Sequence, residues 1–425
     1  MFIKKKVSLR VCLSQVHTKY ILLHKRRMSI LKDSELLEPQ EWSFPVPIYY
    51  GPGRLVEIGA LSISRGVTKP LIVTDRGSSH LPFIKQLQQY LTDAGLSWGI
   101  FYDISPNPRD DEIGAGCKTF RDGRHDAVIA IGGGSAMDGG KSICLTANNS
   151  FDLWDFEFEQ PVPTLKNTEP FPILITIPTT AGTGAETEST AMVTNVEKGM
   201  KFCIWHPDLK PSFALLDPEV TIGLPPTLTA WTGADAMTHA IEAYLVPGFH
   251  PFCDGLALQG LALVSKWLSV AAKEPGNMFA RGAMIVGSCL AGASFLKGLG
   301  MVHAISHMVG AEYNTQHGLT NAIVLPVVLR FNLENNKELE PKVKKMAEAM
   351  GLSDHSVGSF IAEVERILDA IGIPKSLSAI GVPLDCSQRI AEKALKDSAA
   401  ATNPVQATVD QVRTLIEASI TKARD

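Results

Sequence analysis

Ala127-Val128-Ile129-Ala130-Ile131-Gly132-Gly133-Gly134-Ser135 is the stretch that decides the fold. Its continuous apolar run predicts a strand covered on both faces. The glycines end that strand, and Ser135 to Ala147 returns to helical spacing. Outward from this centre the same rhythm repeats. Upstream, Pro70 to Asp75 reads as a buried strand, and Pro82 to Ala94 as a helix stopped by Gly95. Trp98 to Tyr102 is a strand, Pro106-Asn107-Pro108 a turn, and Ile113 to Phe120 a helix. Downstream, Ile173 to Ile177 is another buried strand. Alternating strands and helices predict a parallel α/β sheet. Phe44 to Tyr50 holds Pro45 and Pro47 and suits only an edge strand.

Beyond Asp217-Pro218 the strand-like runs stop. Helical spacing covers Trp231 to Leu245, Asp254 to Ala271, Met278 to Leu296 and Val302 to Ala311. It continues through Pro341 to Met350, Val357 to Ile371, Ser387 to Ser398 and Thr408 to Lys422. The expected organisation is an α/β dinucleotide-binding domain over 41–219 and an all-α domain over 220–425. A chain of 425 residues is long enough for two cores.

Residues 1–32 carry nine Lys or Arg and no acid: Lys4, Lys5, Lys6, Arg10, Lys19, Lys25, Arg26, Arg27 and Lys32. That composition suits a mitochondrial presequence. It also suits a start at Met28 with an unstructured stretch upstream of it, the reading we prefer, and the basic extension as a whole is expected to run over 1–40. The remaining charge is mixed, with a formal net of −4, so no nucleic-acid partner is expected. No apolar run is long enough to demand a membrane span. The seven cysteines include no CxxC pair, which argues against a thiolate zinc site and for reduced thiols in a cytoplasmic protein.

Gly133, Gly134 and Ser135 leave a strand and open a helix, an arrangement that admits a phosphate to free backbone N–H groups. Ser135 and Asp138 also form an S-x-x-D pattern close to a capping box. A tight turn with a capped helix would account for both. The second loop, Pro178-Thr179-Thr180-Ala181-Gly182-Thr183-Gly184, leaves the next buried strand. Two such loops at neighbouring strand ends predict a dinucleotide on one rim of the sheet. Asp75 would accept from an adenosine ribose and repel a 2′-phosphate, favouring NAD over NADP, although the adjacent Arg76 weakens that preference.

The helical half contributes a second constellation. Asp235 and His239 lie four apart on one helix and share a face. His303 and His307 are likewise one turn apart, and His317 follows in the turn Tyr313-Asn314-Thr315-Gln316-His317-Gly318. A carboxylate with imidazoles suits Fe²⁺ or Zn²⁺. Spacing does not say which of His303, His307 and His317 bind the ion.

These four motifs, in this order from about Pro47 to the C-terminus, resemble the iron-containing alcohol dehydrogenase family and its dehydroquinate synthase-like scaffold. The resemblance implies Asp235, His239, His303 and His317 as metal ligands and His307 as a proton relay near the nicotinamide. It implies Gly133, Gly134 and Ser135 at the pyrophosphate, with Thr179, Thr180, Thr183 and Asp138 near the dinucleotide. It further implies Asp75 on the adenosine side, Asn107 as a linking contact and Lys201 close to the cofactor. A homodimer or larger assembly joined through the Phe44–Tyr50 edge is also implied. The expected activity is hydride transfer between NAD(H) and a small alcohol, diol or hydroxy acid, with Fe²⁺ bound and Zn²⁺ acceptable. Two departures stand out. Thr190 replaces an asparagine common in the family, and the segment Phe295 to Leu299 is one residue shorter than in diol-reducing members. A metal-dependent lyase of the same scaffold and a non-catalytic NAD-binding relative are the alternatives.

Overall fold

In the computed structural model, which describes residues 46–166 and 170–424, the Ala127–Gly132 run sits near the middle of a six-stranded parallel sheet. In chain order this half comprises β1 (Ile48–Tyr50), α1 (Ile58–Ser64), β2 (Pro70–Asp75), α2 (Pro82–Asp93), β3 (Gly99–Ile104), α3 (Asp110–Gly123), β4 (Ala127–Gly132), α4 (Gly134–Thr146) and β5 (Ile173–Pro178). A hairpin, β6 (Thr190–Asn195) and β7 (Met200–Trp205), then precedes β8 (Phe213–Leu216). The strand order is β1-β8-β5-β4-β2-β3, with β6 and β7 forming a separate antiparallel pair. The expected basic extension over 1–40 and the first two residues of Phe44 to Tyr50 lie outside the described residues, and within 46–50 the strand is Ile48–Tyr50. That strand occupies the sheet edge beside β8.

The run Ala127–Gly132 is apolar throughout because both faces are covered. Val128 packs with Leu71, Leu174 and the inward residues of α3 and α4, such as Phe120 and Ile143. Ile129 and Ile131 face the other way, onto Ile72, Ile175 and the α2 residues Phe83, Ile84 and Leu87. Each such fully buried aliphatic contributes roughly 1.5–3 kcal/mol. From β2 the chain passes to β3 on one side and then crosses to β4 on the other. The carboxyl ends of β2 and β4 therefore flank the point where the strand order reverses, the crevice in which open α/β sheets take ligands.

After β8 the helices are α5 (Pro226–Leu245), α6 (Pro251–Lys273), α7 (Met278–Ser294), α8 (Met301–Tyr313), α9 (His317–Asn335), α10 (Glu340–Ala349), α11 (Val357–Ala370), α12 (Ser387–Ala394), α13 (Ser398–Ala401) and α14 (Val409–Lys422). Helix α5 is buried on nearly every side from Thr229 to Leu245. Helix α6 and the stretch Met278–Lys297 that contains α7 are long and apolar enough to cross a membrane. In the fold they pack against each other and against α5, with α7 mostly buried and α6 buried along one face. None of the described cysteines is disulfide-bonded.

Several expectations need correction. The β6–β7 hairpin went unpredicted, although its burial alternates residue by residue along β6. His317 is not in a turn but is the first residue of α9, which contains Pro326. The single helix expected over Ser387–Ser398 is two, because the Asp397 side chain accepts from Ala399 N and starts a new one. The capping box at Ser135 is absent. Helix α4 begins at Gly134 with Gly133 as its N-cap and no side-chain cap, so Ser135 and Asp138 lie inside its first turns.

Gly184 joins the two halves. Its φ of +62° disfavours any side chain, and a Cβ there would lie 2.4 Å from Gly292 Cα on α7. Gly184→Ala should therefore cost on the order of 2–4 kcal/mol, from left-handed strain plus overpacking. A denaturant midpoint unchanged from the parent protein would contradict this.

Candidate active site

The two glycine- and threonine-bearing loops form one surface. Thr179 N donates to Gly132 O at 2.8 Å, tying the loop after β5 to the end of β4. A Cβ on Gly133 would meet the Thr180 methyl at 3.4 Å, and one on Gly134 would lie only 2.5 Å from the Thr183 methyl. Larger residues would drive the loops apart. The first turn of α4 thus opens on a narrow backbone-lined crevice, with Ser135 half-buried within it.

Asp75, at the end of β2, borders this crevice, its carboxylate 2.9 Å from where a Gly132 Cβ would stand. It accepts from Ser78 N and Ser78 Oγ at 2.9 and 2.8 Å, which fixes its orientation. Arg76 is turned away and committed, donating to Asp103 at 2.5 Å and to Glu112 at 2.9 Å. The arginine that weakened the expected NAD preference is therefore already paired, which leaves Asp75 to bear on that expectation. Asp75→Gly should raise the NADPH-to-NADH ratio of kcat/KM by about 10-fold or more, the scale of removing one nearby like charge. A ratio unchanged in paired assays would contradict that role.

Behind the loop, burial pushes the Asp138 carboxyl up to about 6, while Lys141 and Lys201 pull it back. Lys141 donates to Thr190 O at 2.8 Å, so at position 190 it is the backbone that is used. Lys201, on β7, is held low by burial against the charges of Asp138, Asp235 and Asp397. Strand β7 packs against α8, the helix that carries His303 and His307. Asn107 reaches across to donate to Asn314 Oδ1 at 2.7 Å, at the end of α8.

On the helical side, α5 presents Asp235 and His239, α8 presents His303 and His307, and α9 begins with His317. One ligand atom from each of Asp235, His239, His303 and His317 lies within 4.8 Å of all the others. The Nε2 atoms of His239, His303 and His317 are 3.9, 3.8 and 3.7 Å from Asp235 Oδ1. A tetrahedral centre with bonds of about 2.1 Å has ligand–ligand edges of about 3.4 Å, so one ion fits with small adjustment.

Each imidazole is tethered at Nδ1, which leaves Nε2 to face inward. His239 Nδ1 is 3.3 Å from Gly182 O, His303 Nδ1 donates to Glu242 Oε2 at 2.6 Å, and His317 Nδ1 is 3.1 Å from Ser306 Oγ. Asn321 Nδ2 stands among the same acceptors, 2.7 Å from Asp235 Oδ1, 3.0 Å from His303 Nε2 and 3.1 Å from His317 Nε2. Among the described residues, the buried Asn321 Oδ1 has no hydrogen-bond partner. A ring of acceptors around one point is a donor set that suits a cation.

Two of the three imidazoles are held neutral by their surroundings, and the third is pulled the other way. Burial lowers His239 to about 4 against the pull of Asp235. Burial and the neighbouring His303 hold His317 well below its usual value. Both are neutral at pH 7, as metal ligands must be. For His303 burial acts downward, but the Glu242 hydrogen bond and charge win and raise it.

His307 lies outside the converging set. Its Nδ1 donates to Asp397 Oδ2 at 2.8 Å, and its ring stacks on His317 with centroids 5.3 Å apart. The Phe295 ring lies 5.0 Å from that of His239, so an aromatic side chain borders the ligand cluster. Sequence reasoning missed Glu242, Asn321, Ser306 and Asp397. For Glu242 a signal existed, since it is one turn beyond His239 on the same face.

Comparison with known proteins agrees on both halves. Residues 45–218 match the model of the iron-containing alcohol dehydrogenases, and residues 229–420 match that family's C-terminal model. The 1,3-propanediol dehydrogenase of Klebsiella pneumoniae is 36% identical over 84% of this chain and 92% of its own. The NAD-dependent methanol dehydrogenase of Bacillus methanolicus is 33% identical over 86% and 96%. A crystal structure of 1,3-propanediol oxidoreductase superposes with a TM-score of 0.83 and 35% identity, covering 90% of this chain and all of that one. With family models matching on both sides of the cleft, the chain belongs to the iron-containing alcohol dehydrogenases, NAD-linked oxidoreductases of the CH–OH group.

Proposed function

We propose that this chain is a cytoplasmic, homodimeric enzyme that interconverts a small alcohol or diol and its aldehyde at an ion held by Asp235, His239, His303 and His317. Residues 41–219 form the dinucleotide half and 220–425 the metal half. The observation that carries the reading is the convergence of four tethered ligand atoms on one point, joined to the phosphate-loop side by the Gly182–His239 hydrogen bond. Dimerisation through β1 is supported by its edge position and by Ile48 and Tyr50, which are both 45% exposed.

Gly133, Gly134 and Ser135 bind the pyrophosphate, with Thr179, Thr180 and Thr183 shaping the groove. Asp75 selects the unphosphorylated ribose, and Asn107, Asp138 and Lys201 line the path towards the nicotinamide. The ion, when bound, supplies Lewis acidity to the substrate oxygen, and the nicotinamide accepts or donates the hydride. His307, oriented by Asp397, takes the hydroxyl proton and returns it in reduction. Substrate breadth follows the names of the relatives, a diol dehydrogenase and a methanol dehydrogenase.

The test is anaerobically purified protein assayed with a panel of short alcohols, diols, hydroxy acids and aldehydes, using both NADH and NADPH. The expected result is NADH-dependent turnover that ends on metal removal and returns with Fe²⁺ or Zn²⁺. Absence of turnover across the panel, or turnover that survives complete metal removal, would overturn the proposal.

A further inference from the structure

The three tethers at Nδ1 differ in kind. A backbone carbonyl holds His239 and a hydroxyl holds His317, but a buried carboxylate holds His303. Glu242 is 5% exposed, and its second oxygen accepts from Val302 N at 2.8 Å in the first turn of α8. Gly300 makes room for it, since a Cβ there would lie 2.6 Å from Glu242 Oε1. Among the described residues its ion-pair partner is His303. One face of α5 therefore carries Asp235, His239 and Glu242 in succession.

A buried carboxylate without a lysine or arginine beside it is expensive. The expense is offset if the imidazole it grips faces a cation. Asp235 and Glu242 together carry two negative charges, matching one divalent ion and leaving the buried group neutral. From this geometry we infer that Glu242 is a positioning residue that sets how tightly, and for how long, the divalent ion is held, an inference that rests on the four-ligand reading above. The carboxylate accepts the Nδ1 proton of His303, so Nε2 keeps its lone pair for the point it shares with Asp235 Oδ1, 3.8 Å away, and becomes the stronger donor. It also anchors the start of α8, from which His303 projects.

Glu242→Gln tests this with almost unchanged volume. The amide oxygen can still accept from Val302 N, but the amide N–H group opposes the His303 Nδ1 proton. Gly300→Ala tests it independently, by pushing the native carboxylate out of place. The readouts are Zn²⁺ affinity by chelator competition and the rate of Zn²⁺ release from the loaded full-length protein, with NADH binding as the control for folding. Both variants should bind Zn²⁺ about 10–100-fold more weakly and release it faster, with NADH affinity retained. Zn²⁺ affinity within about threefold of the parent, in either variant that binds NADH normally, would overturn the inference. His239→Ala in the same assay separates the two levels. If the parent binds Zn²⁺ and His239→Ala does not, the centre stands and only the role of Glu242 is at stake. If the parent binds none, the centre itself fails.

Discussion

His239→Ala should abolish metal retention and lower kcat by at least about 1,000-fold while leaving NADH binding within a few-fold of the parent. The size follows from losing Lewis-acid stabilisation worth several kcal/mol. His239 brings an Nε2 to the common point and, through Nδ1, a link to Gly182 O on the cofactor side. Burial keeps it neutral well below physiological pH, down to about 4, so no proton occupies the Nε2 position a cation would take. NADH binding should survive because the crevice is built from Gly132 to Gly134 and Thr179 to Thr183, which take their geometry from β4 and β5. The measurement is metal content of the purified variant alongside kcat and NADH fluorescence titration. Near-parental turnover with metal absent would contradict the account.

His307→Ala should produce a different pattern: kcat falls about 100–10,000-fold, the range of one general acid–base group, with metal content unchanged. His303 and His307 are one turn apart on α8, yet the fold assigns them different partners. His303 joins Asp235, whereas His307 is held by Asp397 and stacks beside His317. Asp397→Asn should lower kcat in the same direction but less, since a hydrogen bond to Nδ1 of the other tautomer remains available. Loss of the ion in His307→Ala would place His307 among the ligands and contradict the division of roles.

The legible parts of the sequence were those set by local spacing. Residues 127–135 declare a two-sided strand and a loop by composition alone, and Asp235 with His239 needs only the helical period. The hairpin β6–β7 was legible in principle, from the apolar run Phe202-Cys203-Ile204-Trp205 and the turn glycine Gly199, but β6 (Thr190–Asn195) alternates only in burial and not in its sequence. Helix α9 was concealed by its surroundings. It is buried around most of its circumference and interrupted by Pro326, so no polar stripe betrays its period. His317 was consequently placed in a turn, where its relation to Asn321 one helical turn later could not be seen. Asp397 gives no local signal, because its partner His307 lies 90 residues upstream. Arg76 shows the opposite limit. Its neighbour Asp75 is adjacent in sequence, yet its partners Asp103 and Glu112 come from β3 and α3.

The most direct test of the central claim is anomalous diffraction from crystals of the full chain grown with NADH and Fe²⁺ or Zn²⁺. The account predicts one anomalous peak per chain, about 2.0–2.2 Å from Asp235 and from Nε2 of His239, His303 and His317, with the nicotinamide facing it across the cleft. A peak elsewhere, or bound NADH with no peak among those four side chains, would contradict it.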